Sequence, residues 1–133
     1  MVQEYRSEIL ERTLRNLHAA VMGIKASVIV NMDGLLVAAY PPGDDEAPHL
    51  NPTSSPQVAA MAATLIGLAE RTLDRLAQGE LERLLMEGEF GVMVVYPAGR
   101  AALAVLVDKQ TKLGMVMFQT SRAANEVAGI LRY

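Results

Sequence analysis

The spacing of apolar residues along this chain changes period several times, and each change marks an element. From about Val2 onward, Leu10, Leu14, Leu17 and Val21 recur at i, i+4, i+7 and i+11, the pattern of an amphipathic helix that gives out at Gly23. Its other positions carry Glu4, Glu8, Glu11, Arg12 and Arg15, charges three and four apart that read as a solvated face. Residues 26–31 and 35–40 are then β-branched or apolar runs. Between them Met32-Asp33-Gly34 supplies the positive φ angles of a tight turn, so the two runs form a hairpin. Residues 41–56 hold five of the six prolines together with Gly43, Asp44, Asp45 and Glu46, which excludes helix and paired strand and leaves a loop of the length associated with function.

A second helix starts at Ser54-Ser55-Pro56, with Ser as N-cap and Pro at the first helical position, and runs over 55–77 before stopping near Gly79. At 100° per residue from Val58, the residues Met61, Ala62, Leu65, Ala69, Leu73 and Leu76 share one side, which is expected to face the core. The opposite side is made of small residues: Ala60, Ala63, Thr64 and Gly67 fall at i, i+3, i+4 and i+7, where a solvated helix carries long polar chains. Alanine alone is explained by helix propensity. Gly67 is not, because a mid-helix glycine costs about 1 kcal/mol relative to alanine. The stripe is therefore expected to admit another backbone.

Three strands follow, over 80–87, 90–96 and 101–107, joined by Glu87-Gly88-Glu89 and Pro97-Ala98-Gly99-Arg100. The last two are almost wholly apolar and belong inside a sheet covered on both faces, whereas the first, with Glu82, Arg83 and Glu87, belongs at an edge. After a polar turn at 108–112, Val116, Thr120, Ala123, Val127 and Ile130 mark one side of a closing helix over 113–131.

Composition narrows the function. With 133 residues, 51% of them hydrophobic, the chain reads as one domain, 1–133, with a proper core. A formal charge of −3 with scattered Arg and Lys provides no basic stripe for nucleic acid. No apolar run reaches the length of a membrane span, and the charged N-terminus is not signal-like, so a cytoplasmic protein without membrane insertion is expected. The lack of Cys removes disulfides, thiolate metal sites and Cys nucleophiles together. Neither G-x-x-x-x-G-K-[ST] nor G-x-G-x-x-G occurs, so no phosphate cradle of those kinds is present. The two histidines are far apart: His18 lies in the first helix in a packing or surface position, and His49 lies in the proline loop. Near His49, the residues Asp44, Asp45 and Glu46 make only a loose cation site, and Glu87 and Glu89 flank a turn glycine as solvated residues. No catalytic residue, cofactor or metal site is expected, and the chain reads as a non-enzyme.

The ordered set of features resembles the Roadblock family, named for dynein light chains and including bacterial MglB-type regulators of Ras-like GTPases. The residues that carry the resemblance are the hairpin Val28-Ile29-Val30-Asn31-Met32-Asp33-Gly34-Leu35-Leu36-Val37-Ala38, the Ala-rich helix from Ala59 to Leu76 and the stretch from Leu84 to Gly91. It continues through Ala102-Leu103-Ala104-Val105-Leu106-Val107 and Leu113-Gly114 to Arg122-Ala123-Ala124, covering nearly the whole chain. The resemblance implies an α+β fold of profilin-like, Roadblock topology: a five-stranded antiparallel sheet in the order 2-1-5-4-3, with the first and last helices on one face and the middle helix on the other. It also implies a homodimer in which the third strand pairs with its mate and the middle helices meet. Ala60, Ala63, Thr64 and Gly67, with Glu82, Leu84 and Met86 of the edge strand, are then dimer or partner contacts, and Arg71, Asp74 and Arg75 are polar anchors for a small Ras-like GTPase. The function implied is that of a non-enzymatic dimeric regulator or scaffold that modulates the GTPase nucleotide cycle, through hydrolysis in the bacterial type. The alternatives are an assembly scaffold indifferent to nucleotide and a small-ligand sensor. Two departures stand out: the chain stops at Tyr133 without the extension of the longer bacterial regulators, and its proline loop is long.

Overall fold

The computed structural model describes residues 2–41 and 56–132, with side chains from residue 6 onward. The proline loop, with its Ser54-Ser55 cap and the residues around His49, lies outside the described residues. The elements run α1 (Val2–Ala20), β1 (Ile24–Asn31), β2 (Leu36–Tyr40), α2 (Pro56–Arg75), β3 (Leu84–Glu87), β4 (Gly91–Ala98), β5 (Ala101–Asp108) and α3 (Leu113–Ile130). The strands form one antiparallel sheet in the order β2-β1-β5-β4-β3, as the resemblance implies. The two nearly all-apolar strands lie inside the sheet and the polar one lies at an edge. That edge strand is shorter than its sequence run, since residues 80–83 do not pair.

The period-2 alternation of β1 and β5 divides the core into two layers. Ile29, Leu103, Val105 and Val107 face α1 and α3, where they meet Leu10, Leu14, Leu17, Val116 and Val127. Val28, Val30, Ala102 and Ala104 face α2, where they meet Ala59, Ala62 and Ile66. The first layer is built from large side chains and the second mostly from methyl groups. Tyr96 closes the first layer by donating its hydroxyl to the Met117 carbonyl at 3.1 Å, and burial pushes its pKa upward.

The β1–β2 turn differs from the simplest reading of Asp-Gly. Of its residues only Gly34 has a positive φ, +86°, as in a three-residue hairpin loop that ends in a left-handed glycine. Asn31 holds it closed: its Oδ1 accepts the amides of Asp33 and Leu35, each at 3.0 Å. At the far end of α2 the helix is capped at Ala77, φ +54°, ahead of Gly79. The Gln78 amide donates to the Leu73 carbonyl and the Ala77 amide to that of Asp74, the bond pair of a Schellman cap.

Candidate interaction surface

The orientation of α2 is the main difference from the sequence expectation. Ala59, Ala62 and Ile66 face the sheet, so the helix is rotated by most of a quadrant from the stripe centred on Val58. Of that stripe only Ala62 is buried. Val58, Leu65, Ala69 and Leu73 are half-buried, while Met61 and Leu76 are 60% and 62% exposed, with Leu68 beside them at 53%. The reason is volume. The sheet under α2 presents Ala102 and Ala104 between its valines, and small helix residues let the two backbones close on that shallow surface, where Met61 and Leu65 would hold them apart. A buried methyl contributes about 0.8 kcal/mol and a buried Ile about 2 to 3 kcal/mol, so Ile66 contributes about as much as the buried alanines of the helix together.

This rotation redistributes the small-residue stripe. Ala63 is buried at 8% exposure, which corrects its expected place on the outer side. Ala60 is exposed but already has a neighbour: a Cβ on Gly34 would stand 3.1 Å from the Ala60 Cα, so the hairpin turn and α2 need small residues at both positions. Thr64 turns its hydroxyl back onto the Ala60 carbonyl, 2.9 Å away. Gly67 differs: among the described residues a Cβ there would meet only Arg71 Nη1, at 3.9 Å, so none of them requires this glycine. Ala60, Ala63, Thr64, Gly67 and Arg71 line one groove of about 340 Å³, walled opposite by Met32, Asp33 and Gly34.

The other expected contact residues lie apart from that groove. Arg71 also borders, with Asp74, a cleft between the end of α2 and the β4–β5 turn, where Glu70 and Glu80 make the lining acidic. Arg75 is exposed at the last turn of the helix. Leu84 and Met86 are half-buried on the α2 side of β3, and Met86 sits opposite Met93 of β4. Glu82 is exposed before the strand and pairs with Arg83 at 3.6 Å. At the strand's end Lys109 donates to Glu87 at 2.8 Å, which lowers the pKa of that carboxyl. His18 is a packing residue, as expected: its Nε2 lies 2.9 Å from the buried Ser27 Oγ, and its ring stands edge-on to Tyr40 at 4.7 Å.

An edge strand on a helix-backed antiparallel sheet, with a free apolar helix face beside it, is a recognisable arrangement, and the comparison with known proteins settles it. The Roadblock/LC7 domain model matches residues 10–108. The chain belongs to the Roadblock/LC7 family. Two uncharacterized proteins of Methanocaldococcus jannaschii are each 35% identical to this Roadblock/LC7 chain over 119 residues, covering 90% of it and 96% of themselves. Among solved structures, the Roadblock/LC7 domain from Streptomyces avermitilis superposes with a TM-score of 0.77 at 21% identity, covering 92% of this chain and 98% of its own. The gliding protein MglB of Thermus thermophilus reaches 0.78 at 19% identity, with 96% and 91% covered. The wider profilin-like fold is shared with Acanthamoeba castellanii profilin IA, at a TM-score of 0.57 and 12% identity over 92% of this chain and 96% of that one.

The sequence reading missed Met61, Leu68 and Leu76 as surface residues of this Roadblock/LC7 domain, and Met32 and Asp33 as groove walls. The signal was present: Ala59, Ala62, Ala63 and Ile66 also repeat at i, i+3, i+4 and i+7, and the alanines of β5 indicate which of the two stripes fits below. Among the described residues no helix is long and apolar enough to cross a membrane.

Proposed function

We propose that this chain is a non-enzymatic, cytoplasmic regulator or scaffold that works as a homodimer and binds a small Ras-like GTPase, shifting its nucleotide cycle. One observation carries the reading: a Roadblock/LC7 domain leaves Met61, Leu68 and Leu76 in solvent along α2, on a sheet with the open edge strand β3. Single exposed apolar residues are ordinary, but a helical row of them marks an interaction face. Two copies related by a twofold axis would pair β3 with β3 and α2 with α2, closing the edge and covering the row in one contact. Gly67 and the groove beside it suit a close approach along the same helix, and Arg71, Asp74 and Arg75 offer exposed charges to a GTPase. Regulation then needs no chemistry from this chain. A dimer that binds one nucleotide state of the GTPase more tightly shifts the population of its switch loops toward that state.

The test has two parts. Sedimentation of the purified chain across protein concentrations is expected to show a dimer that Met61→Glu with Leu68→Glu dissociates. A small GTPase recovered with this protein from its source cells is then purified and loaded with GDP or a non-hydrolysable GTP analogue. Preferential binding of one state, with an altered rate of hydrolysis or exchange, supports the regulator. Equal binding of both states reduces the role to a scaffold, and a monomer at all concentrations overturns the reading.

A further inference from the structure

On the opposite face of the sheet from α2, at the end where the β1–β2 and β4–β5 turns lie, the chain forms a cleft of about 490 Å³. It lies within the size range of small-molecule pockets. Its lining has two chemistries. The floor is apolar: Leu10 and Ala101 are almost fully buried yet border the cleft, and Leu131, just beyond α3, forms part of its wall. The rim is cationic and donating, with Arg6 of α1, Asn31 at the end of β1 and Arg100 of the β4–β5 turn. No Asp or Glu is among the described residues that line it.

The fold itself assembles this rim. Arg6 and Leu10 are four apart on α1 and so share a face, which places a guanidinium one turn above the apolar floor. Asn31 pairs with Ala101 in the sheet, which sets Arg100, the residue before it, beside the Asn31 turn. The two turn amides occupy Asn31 Oδ1, so what this side chain adds to the rim is its Nδ2 group, a pure donor. Arg100 makes no hydrogen bond or ion pair to any described residue. Fixed donors and a spare guanidinium above an apolar floor complement one class of ligand.

We infer that this cleft binds a small amphiphilic carboxylate, its anionic head held by Arg100 and Asn31 Nδ2 and its aliphatic body laid over Leu10, Ala101 and Leu131. The site is on the other side of the sheet from the α2 surface and does not depend on the GTPase reading.

The experiment is a titration of the full-length protein followed by amide chemical shifts, with sodium octanoate, 1-octanol and inorganic phosphate as separate probes. Octanoate is expected to give saturable shifts centred on Asn31, Arg100, Ala101 and Leu131. Octanol, which has the chain without the charge, and phosphate, which has the charge without the chain, are each expected to bind at least about tenfold more weakly. Arg100→Gln, an exposed change, is expected to weaken octanoate by about tenfold or more and to leave octanol unaltered. The inference is overturned if octanol matches octanoate, which makes the cleft merely greasy, or if phosphate matches it, which makes it a plain anion site. Shifts that map to Met61 and Leu68 instead, or no saturation while octanoate stays monomeric, overturn it equally.

Discussion

Replacing Gly67 by Ala separates what the protomer requires from what a partner requires. The added methyl has room: among the described residues it meets only Arg71 Nη1 at 3.9 Å, the end of a flexible chain. Within the protomer the substitution therefore acts through the backbone alone. An alanine in a helix interior is favoured over glycine by about 1 kcal/mol, partly because the unfolded chain loses freedom. For a chain of this size that corresponds to a rise of roughly 3 to 4 °C in Tm. The clean measurement uses a Met61→Glu, Leu68→Glu background that holds the chain monomeric, with unfolding followed by circular dichroism. The same change in the otherwise native chain is expected to weaken self-association or GTPase binding by about 1 kcal/mol or more, because the methyl occupies the space through which a second backbone approaches. Sedimentation and direct binding measure that loss. If Gly67→Ala destabilises the monomeric background, the glycine serves the protomer after all. If it stabilises the monomer and leaves every association unchanged, the close approach at this position does not exist.

Three further outcomes follow from local geometry. Ala77 holds a left-handed conformation that glycine adopts without strain, so Ala77→Gly is expected to stabilise the fold by about 0.5 to 1 kcal/mol in urea unfolding. The Thr120 hydroxyl is fully buried and has no hydrogen-bond partner among the described residues, so Thr120→Val, similar in shape, is expected to raise stability by about 1 kcal/mol. Burial lowers the pKa of His18 below its ordinary 6.5. The unfolded chain therefore binds the proton more readily, and the contribution of His18 is intact above pH 6.5 and lost as pH falls below it. The slope of unfolding free energy against pH in that range is expected to flatten in His18→Gln.

The element order, the sheet order and the edge position of β3 were legible in the sequence because each rests on a local pattern or on the family resemblance. The rotation of α2 was not, because both of its candidate stripes are apolar and periodicity alone gives them equal standing. What separates them is the volume of Ala102 and Ala104, residues far away in the sequence that matter only once the strand is under the helix. The cap at Ala77 was missed for a similar reason: glycine is the expected left-handed residue, and Gly79 stood two places on. Of the candidate surface, the α2 residues of the groove were identified and its wall at Met32 and Asp33 was not. Ala60 answers to Gly34 and Ala63 is already buried, while no described residue accounts for Gly67.

The two layers of this core differ in how they tolerate mutational drift. Beneath α1 and α3, where Leu10, Leu14 and Leu103 fill the space, most substitutions shorten a side chain and leave a void that neighbours can partly fill. Beneath α2, where Ala59, Ala62, Ala102 and Ala104 meet, every substitution other than glycine adds bulk that has nowhere to go except by lifting the helix. Lifting α2 would also displace the outward row of Met61, Leu68 and Leu76. The surface of this protein is thus inherited through its smallest buried residues, and a lineage that enlarges one of them changes what it can bind before it loses its fold.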